Sequence, residues 1–177
     1  CLAVFELDAV IISPGASMRY LFGLTWRETE RLVCAIVSAH TTVFVCPKFE
    51  DTALLAALPT PHDCAWWEEH ENPQSVVSAV LAEHQCQRVG VDPNCSFGQA
   101  HALANATQAQ ITSAGPILQS LRAQKSPSEI ALMQAAKSLT LDVHVAIFGW
   151  IKPGMRKSDV TAEIDRLHRL GGADNGS

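Results

Sequence analysis

Six cysteines, seven histidines and eighteen acidic residues are what this 177-residue chain could use to hold a metal or activate a nucleophile. Their spacing argues against most of that chemistry. The cysteines stand at 1, 34, 46, 64, 86 and 95, and no two frame a Cys-x-x-Cys. His84-x-Cys86 is the nearest approach to a ligand pair, and it has no second pair. A zinc site needs four clustered ligands, or three and a water. Cys34 and Cys46 lie in apolar runs and read as small buried hydrophobes. All six thiols are expected to be reduced, in a cytoplasmic protein. The chain also lacks the Gly-x-Ser-x-Gly elbow, the Gly-x-x-x-x-Gly-Lys-Ser/Thr loop, Gly-x-Gly-x-x-Gly and His-Glu-x-x-His. That leaves no serine elbow, phosphate cradle, dinucleotide fingerprint or zinc-peptidase helix. Asp142 and His144 are two apart on a helical pattern, so they face different sides and cannot chelate together. Asp159, Glu163 and Asp165 read as a solvated helix face.

One stretch concentrates aromatic, acidic and imidazole groups: Trp66-Trp67-Glu68-Glu69-His70-Glu71-Asn72-Pro73. It reads as a loop before a helix. Trp66 and Trp67 could contact a second subunit or the mouth of a substrate site, since exposed tryptophans anchor interfaces. The same residues admit a structural reading. One Trp would pack on a sheet while the acids favour the positive N-terminus of the next helix.

Composition narrows the classes further. The chain is 47% hydrophobic and 18% charged, with a formal charge of −5. That is globular composition. The absence of a basic block removes the electrostatic footprint of nucleic-acid or anionic-membrane binding. With no unbroken run of 18 apolar residues, no membrane association is expected. The sequence opens at Cys1 without a Met and closes on Gly-Gly-Ala-Asp-Asn-Gly-Ser, as a piece of a longer protein would.

The elements that must position these residues alternate in type. Strands are expected at 9–13, 32–38, 41–46, 88–92 and 110–113, with a hairpin turn at Ser38-Ala39-His40 and a stop at Pro47. Helices are expected at 51–58, 73–85 and from Ser96 to 106. Interleaving over about 115 residues makes this an α/β layer structure, and the hairpin makes its sheet mixed. After Pro116 the pattern turns helical. Ser126-Pro127-Ser128-Glu129 can form a capping box with Pro at the first helical position. Apolar residues then recur at 132, 135, 136, 139, 143, 146, 147 and 150. Lys152-Pro153-Gly154 breaks this helix. A last helix starts near Lys157, with Ser158 as its possible cap, and ends at Gly171-Gly172.

In order, the chain carries Leu7-Asp8-Ala9-Val10-Ile11-Ile12-Ser13, Arg19-Tyr20-Leu21-Phe22-Gly23-Leu24 and Val89-Gly90-Val91-Asp92. The junction Leu121-Arg122-Ala123-Gln124-Lys125-Ser126-Pro127-Ser128-Glu129-Ile130-Ala131-Leu132-Met133 follows, and then Ile151-Lys152-Pro153-Gly154-Met155. This series resembles the creatinase/prolidase/Xaa-Pro aminopeptidase family, pita-bread metallopeptidases with an additional N-terminal domain. The resemblance implies that residues 1–120 form a mixed β-sheet with flanking helices, without catalytic residues of its own. Residues 121–177 would be the incomplete, helical start of an α+β pita-bread catalytic domain. It implies a parent that cleaves proline-containing peptides with two divalent metal ions (manganese, cobalt or zinc), as a homo-oligomer, dimer or tetramer. The family's ligand segments lie beyond Ser177, and Asp142, Asp159, Asp165 and Asp174 match none of its ligand motifs. No metal, cofactor or catalytic residue is therefore assigned within the chain. Two other readings stay open: a creatinase-like, metal-free amidinohydrolase parent, and a non-enzymatic binding module derived from the family.

Overall fold

Short apolar runs rich in Val and Ile cannot bury their flanks alone, and here six strands assemble into one sheet. In the computed structural model, which describes residues 2–173, they are β1 (Ala9–Ile12), β2 (Cys34–Ser38), β3 (Thr42–Pro47), β4 (Asp63–Trp67), β5 (Arg88–Val91) and β6 (Gln110–Ser113). Their order is β4-β3-β2-β1-β5-β6. β2 runs against both its neighbours, with Ile11 opposite Ile36 and Ala35 opposite Phe44. The pairs β3·β4, β1·β5 and β5·β6 are parallel. The expected hairpin joins β2 to β3, and the Ser38 hydroxyl accepts from the amides of His40 and Thr41.

Five helices cover the two faces: α1 (Ala16–Phe22), α2 (Asp51–Ala57), α3 (Pro73–Glu83), α4 (Phe97–Ala106) and α5 (Gly115–Ala123). Val77, Leu81 and Leu103 of α3 and α4 pack with Ile11, Ile36 and Val89 on one face. Met18, Leu54, Ile117 and Leu118 of α1, α2 and α5 pack with Ile12, Ala35 and Phe44 on the other. All of these are buried, so β1 sits in apolar surroundings on both sides. Each of these side chains larger than alanine contributes about 1.5–3 kcal/mol on leaving water. Gly90 of β5 is needed for close approach, because a Cβ there would lie 3.0 Å from Leu7 and 3.1 Å from Ala114.

Helix ends follow local chemistry. Asn72 caps α3 through Gln74 N at 3.0 Å, with Pro73 in the first turn. The far end of α3 is a Schellman turn: Cys86 N donates to Leu81 O and Gln85 N to Ala82 O. Ser96 caps α4 as expected.

Three elements depart from the sequence reading. Residues 63–67 are strand β4, where a loop was expected to hold both tryptophans. Residues 16–22 are helical although Pro14-Gly15 reads as a turn. Gly115-Pro116 is a pair that commonly marks a turn after a strand, but here it opens α5. A proline in the first turn of a helix gives up only an amide that has no partner there.

The chain divides into two compact units, Cys1–Ala123 and Gln124–Ser177. The second holds α6 (Pro127–Trp150) and α7 (Lys157–Leu170). The capping box forms: Ser126 Oγ accepts from Glu129 N at 3.2 Å, and Glu129 Oε2 accepts from Ser126 N at 2.7 Å. Extended Ile151 ends α6 two residues before Pro153. Ser158 does not cap α7. Arg156 occupies that position without a side-chain bond, and the Ser158 hydroxyl donates to Asp159 Oδ1 from inside the first turn. Gly172, at φ +89°, closes α7 in a second Schellman turn. Asp174 and Asn175 lie outside the described residues.

Candidate functional site

At the carboxyl ends of the strands in the first unit, β1 leads to α1 on one face while the parallel neighbour β5 leads to α4 on the other. Such a divergence opens a crevice outside the strand ends, the usual ligand position in open α/β sheets. Its polar groups are Ser13, Asp92 and Cys95. Ser13 and Asp92 are buried. Asp92 Oδ1 accepts from Asn94 N at 2.9 Å, and Asp92 O accepts from Cys95 N at 2.9 Å. Asp92 Oδ2 is buried without a hydrogen-bond partner among the described residues. Burial pushes the Cys95 thiol up, and a hydrogen bond from Ser13 pulls it partly back. Cys34 and Cys46 are also raised by burial, Cys46 to about 12, so neither is a thiolate nucleophile at neutral pH. Nothing in the sequence marks Ser13 or Asp92 as functional except their place at the ends of apolar runs.

Further along the same edge lie the two tryptophans. Trp67, the last residue of β4, is buried, and its Nε1 donates to Leu32 O at 3.0 Å. It is an anchor between β4 and the segment entering β2. Trp66 points to the opposite face, half-buried, with Lys48 Nζ 5.3 Å from its ring centroid. Next to it Arg31 lies 5.2 Å over the Phe49 ring and bonds Glu69 Oε1 at 2.9 Å. Glu69 raises the Arg31 pKa, and Asp51 does the same for Lys48. The strand thus separates the pair, one Trp in the core and one on a rim with Lys48, Arg31 and Phe49. Of the acids after Trp67, Glu69 turns to Arg31 and Glu71 accepts from Glu68 N at 2.7 Å, while Asn72 caps the helix. Elsewhere Phe97 of α4 is 85% exposed and stacks on His101, whose ring bonds Asn105.

Among the described residues no three His, Cys, Asp or Glu side chains converge as metal ligands. His84 and Cys86 are taken up by the α3 Schellman turn, where the Cys86 thiol donates to His84 O at 3.6 Å. Asp142 and His144 are exposed on α6, and Asp159 is exposed on α7. Asp165 is half-buried with Oδ1 unpartnered among the described residues, and Glu163 pairs with Arg166. A dinuclear metal centre does not fit the residues present.

Comparison with known proteins gives the frame for these features. The sequence model of the Creatinase/Prolidase N-terminal domain matches residues 2–124. The chain belongs to this family. It is 28% identical over 182 residues to an uncharacterized peptidase of Schizosaccharomyces pombe, covering 94% of this chain and 40% of that protein. It is 29% identical over 163 residues to the probable dipeptidase PepE of Mycobacterium tuberculosis, covering 89% of this chain and 43% of that one. The chain therefore spans about two fifths of the curated relatives it matches. Among solved structures, the dipeptidase PepE of Mycobacterium ulcerans superposes with a TM-score of 0.83 at 22% identity, over 98% of this chain and 47% of that chain. A prolidase from Thermococcus sibiricus gives 0.83 at 18%, over 98% and 48%. The Creatinase/Prolidase N-terminal domain of a Streptococcus pyogenes X-Pro dipeptidase gives 0.58 at 20%, over 67% and 91%. At these identities the structures establish a shared fold: a creatinase/prolidase-type mixed sheet with flanking helices.

Proposed function

We propose that this chain is the non-catalytic N-terminal domain, with the opening helices of the catalytic domain, of a hydrolase that cleaves peptide bonds before proline. The observation that carries this reading is where the family match ends. It stops at residue 124, and the first compact unit stops at Ala123. A capped 24-residue helix follows, in a fold likeness to a prolidase that covers 98% of the chain. The relatives are named peptidase and dipeptidase, which supports hydrolysis of peptides by the whole protein. Two divalent metal ions, manganese, cobalt or zinc, would belong to the remainder of the parent, since no ligand set converges among the described residues.

In this reading the first unit shapes the approach to the active site and holds copies together, as a homodimer or homotetramer in the cytoplasm. The rim of Trp66, Phe49, Arg31 and Lys48 is the surface with the aromatic-cation composition such contacts favour. α6 and α7 are laid against the catalytic sheet of the same protein. Ile130, Leu132, Met133, Val145 and Phe148 are exposed, so the apolar surface of α6 is ready for that cover. By length and composition α6 is also long and apolar enough to cross a membrane, although Glu129, Lys137 and Asp142 interrupt it.

The test compares this 177-residue chain with the longest reading frame that contains it. With added manganese, the longer protein is expected to release proline from an Xaa-Pro dipeptide, and this chain to release none. Failure of the longer protein with every divalent metal tried would turn the assignment to a creatinase-like hydrolase or a binding module. Recovery of the longer protein in the membrane fraction would overturn the docking assigned to α6.

A further inference from the structure

The opposite edge of the sheet carries a trough that neither the family match nor the peptidase reading uses. β1, β5 and β6 begin there and β2 ends there, side by side in the order β2-β1-β5-β6. Two cavities of about 570 and 890 Å³ open along this edge and adjoin, both lined by Gln85, Cys86 and Arg88. Four strands at about 4.8 Å spacing span about 14 Å, the length of roughly four extended residues.

The two cavities differ in chemistry. The one nearer β2 is lined by Glu6 and Asp8. Asp8 Oδ2 accepts from Gln87 N and Arg88 N, each at 2.8 Å. Those donors hold the carboxyl below the usual carboxylate range, so Asp8 is an anion at neutral pH. Its Oδ1 has no partner among the described residues. The neighbouring cation is already used: Arg88 Nη1 bonds Glu6 Oε2 at 2.8 Å. Two carboxylates, Glu6 and Asp8, thus share one cation, and this end carries an excess of negative charge. Among the described residues no three ligating side chains converge around it, and a carboxylate at the mouth of a cavity is the partner a singly charged ammonium needs. The cavity nearer β6 contains no acid. Its polar groups include the amides of Gln85, Gln87, Gln108 and Gln110, each able to donate to and accept from a peptide group.

Backbone strain marks the same place. Glu6 (φ +52°) and Gln85 (φ +55°) are the non-glycine residues with left-handed backbone among the described residues, and both line the trough. Gln85 occupies the position after α3 that glycine normally fills. An L residue there is strained. Strain of this kind persists where a side chain is needed in place, and it clusters at binding sites.

We propose that this trough binds an extended peptide segment of about four residues, with its free α-ammonium on Asp8 and its peptide groups along the glutamine amides. The proposal does not depend on the peptidase reading, because it is read as binding by this chain without cleavage. Equilibrium dialysis of C-terminally labelled tetra-alanine against the 177-residue chain tests it. Binding is expected in roughly the millimolar range, with about a tenfold loss on N-acetylation of the peptide. Asp8→Asn keeps an oxygen for the two backbone donors but removes the charge, and should match the acetylated peptide. The double variant Gln108→Ala/Gln110→Ala alters exposed side chains and should weaken binding of the free peptide, with an unchanged circular dichroism spectrum confirming its fold. No binding, equal binding of the acetylated peptide, or full binding by the double variant would overturn the proposal.

Discussion

The two units treat their apolar residues in opposite ways. In the first, Phe44, Ile11, Ile12, Met18, Leu54 and Leu81 are all under 2% exposed, on both faces of one sheet. In the second, Val143 is the one buried hydrophobic residue among those described, while Phe148 is 86% and Val145 76% exposed. What differs is whether a partner surface lies within the same unit. A six-stranded sheet gives five helices something to cover, whereas two helices leave most of their circumference open. A domain that closes its own core and a helical pair that needs outside cover are thus joined at Ala123.

The largest test of that contrast is self-association. A fragment of residues 1–123 is expected to be silent to the dye ANS and to form no more than the closed dimer or tetramer proposed for the first unit, while the 177-residue chain binds ANS and associates further through the exposed apolar side chains of α6. A monomeric, ANS-silent 177-residue chain would break the comparison. Next come two phenylalanines of equal size. Phe44→Ala removes a ring packed against Phe22 at 5.1 Å and His62 at 5.3 Å, in a fully buried site. It should cost about 3–5 kcal/mol in urea unfolding. Phe148→Ala should change stability by no more than about 0.5 kcal/mol and reduce association. Equal losses would mean that α6 is already covered.

Trp67→Phe sharpens the comparison inside the first unit. The ring stays apolar, but the indole N–H to Leu32 O is lost and a buried carbonyl is left unpaired. The expected cost is about 1–3 kcal/mol. Trp66→Phe, on the half-buried face, should cost less and mainly release Lys48. If Trp66 proved the costlier of the two, the division into core anchor and rim residue would be reversed.

How much of this could be read from the chain follows the same physical line. Elements with clear periodicity, bounding turn residues or a cap were legible: β1, β2, β3, β5, β6 and the capped α3, α4 and α6. β4 was not, because its sequence, Asp63-Cys64-Ala65-Trp66-Trp67, has no clean alternation. A charged run follows it, which made strand and loop look alike. α1 and α5 were hidden by Pro14-Gly15 and Gly115-Pro116, since both pairs mark turns as well as helix starts. The family itself was legible from the order of its motifs, chiefly the junction at 121–133. The trough was not, because the cavity of Asp8 and that of Gln110 come to adjoin only through the pairing of β1, β5 and β6, which no local pattern encodes.

The smallest effect concerns Asp8, which ties residues 79 and 80 positions away to the start of β1. The amides of Arg88 and Gln87 stabilise its ionised form, so its carboxyl titrates lower in the folded chain than in the unfolded one. A group with a lowered folded pKa binds fewer protons folded than unfolded as pH falls through that window. Its contribution is therefore complete above the ordinary carboxylate range and is lost as pH falls through the folded value. Asp8 is mostly exposed, which keeps the effect small. Urea midpoints measured downward from neutral pH should fall slightly less for Asp8→Asn than for the unaltered chain, since the variant has no charge to lose. Parallel curves would mean that the two amide bonds do not distinguish the ionised from the neutral carboxyl. Asp8 would then still be an anion at neutral pH, but its two amide bonds would not help to hold the amino edge of the sheet against acid.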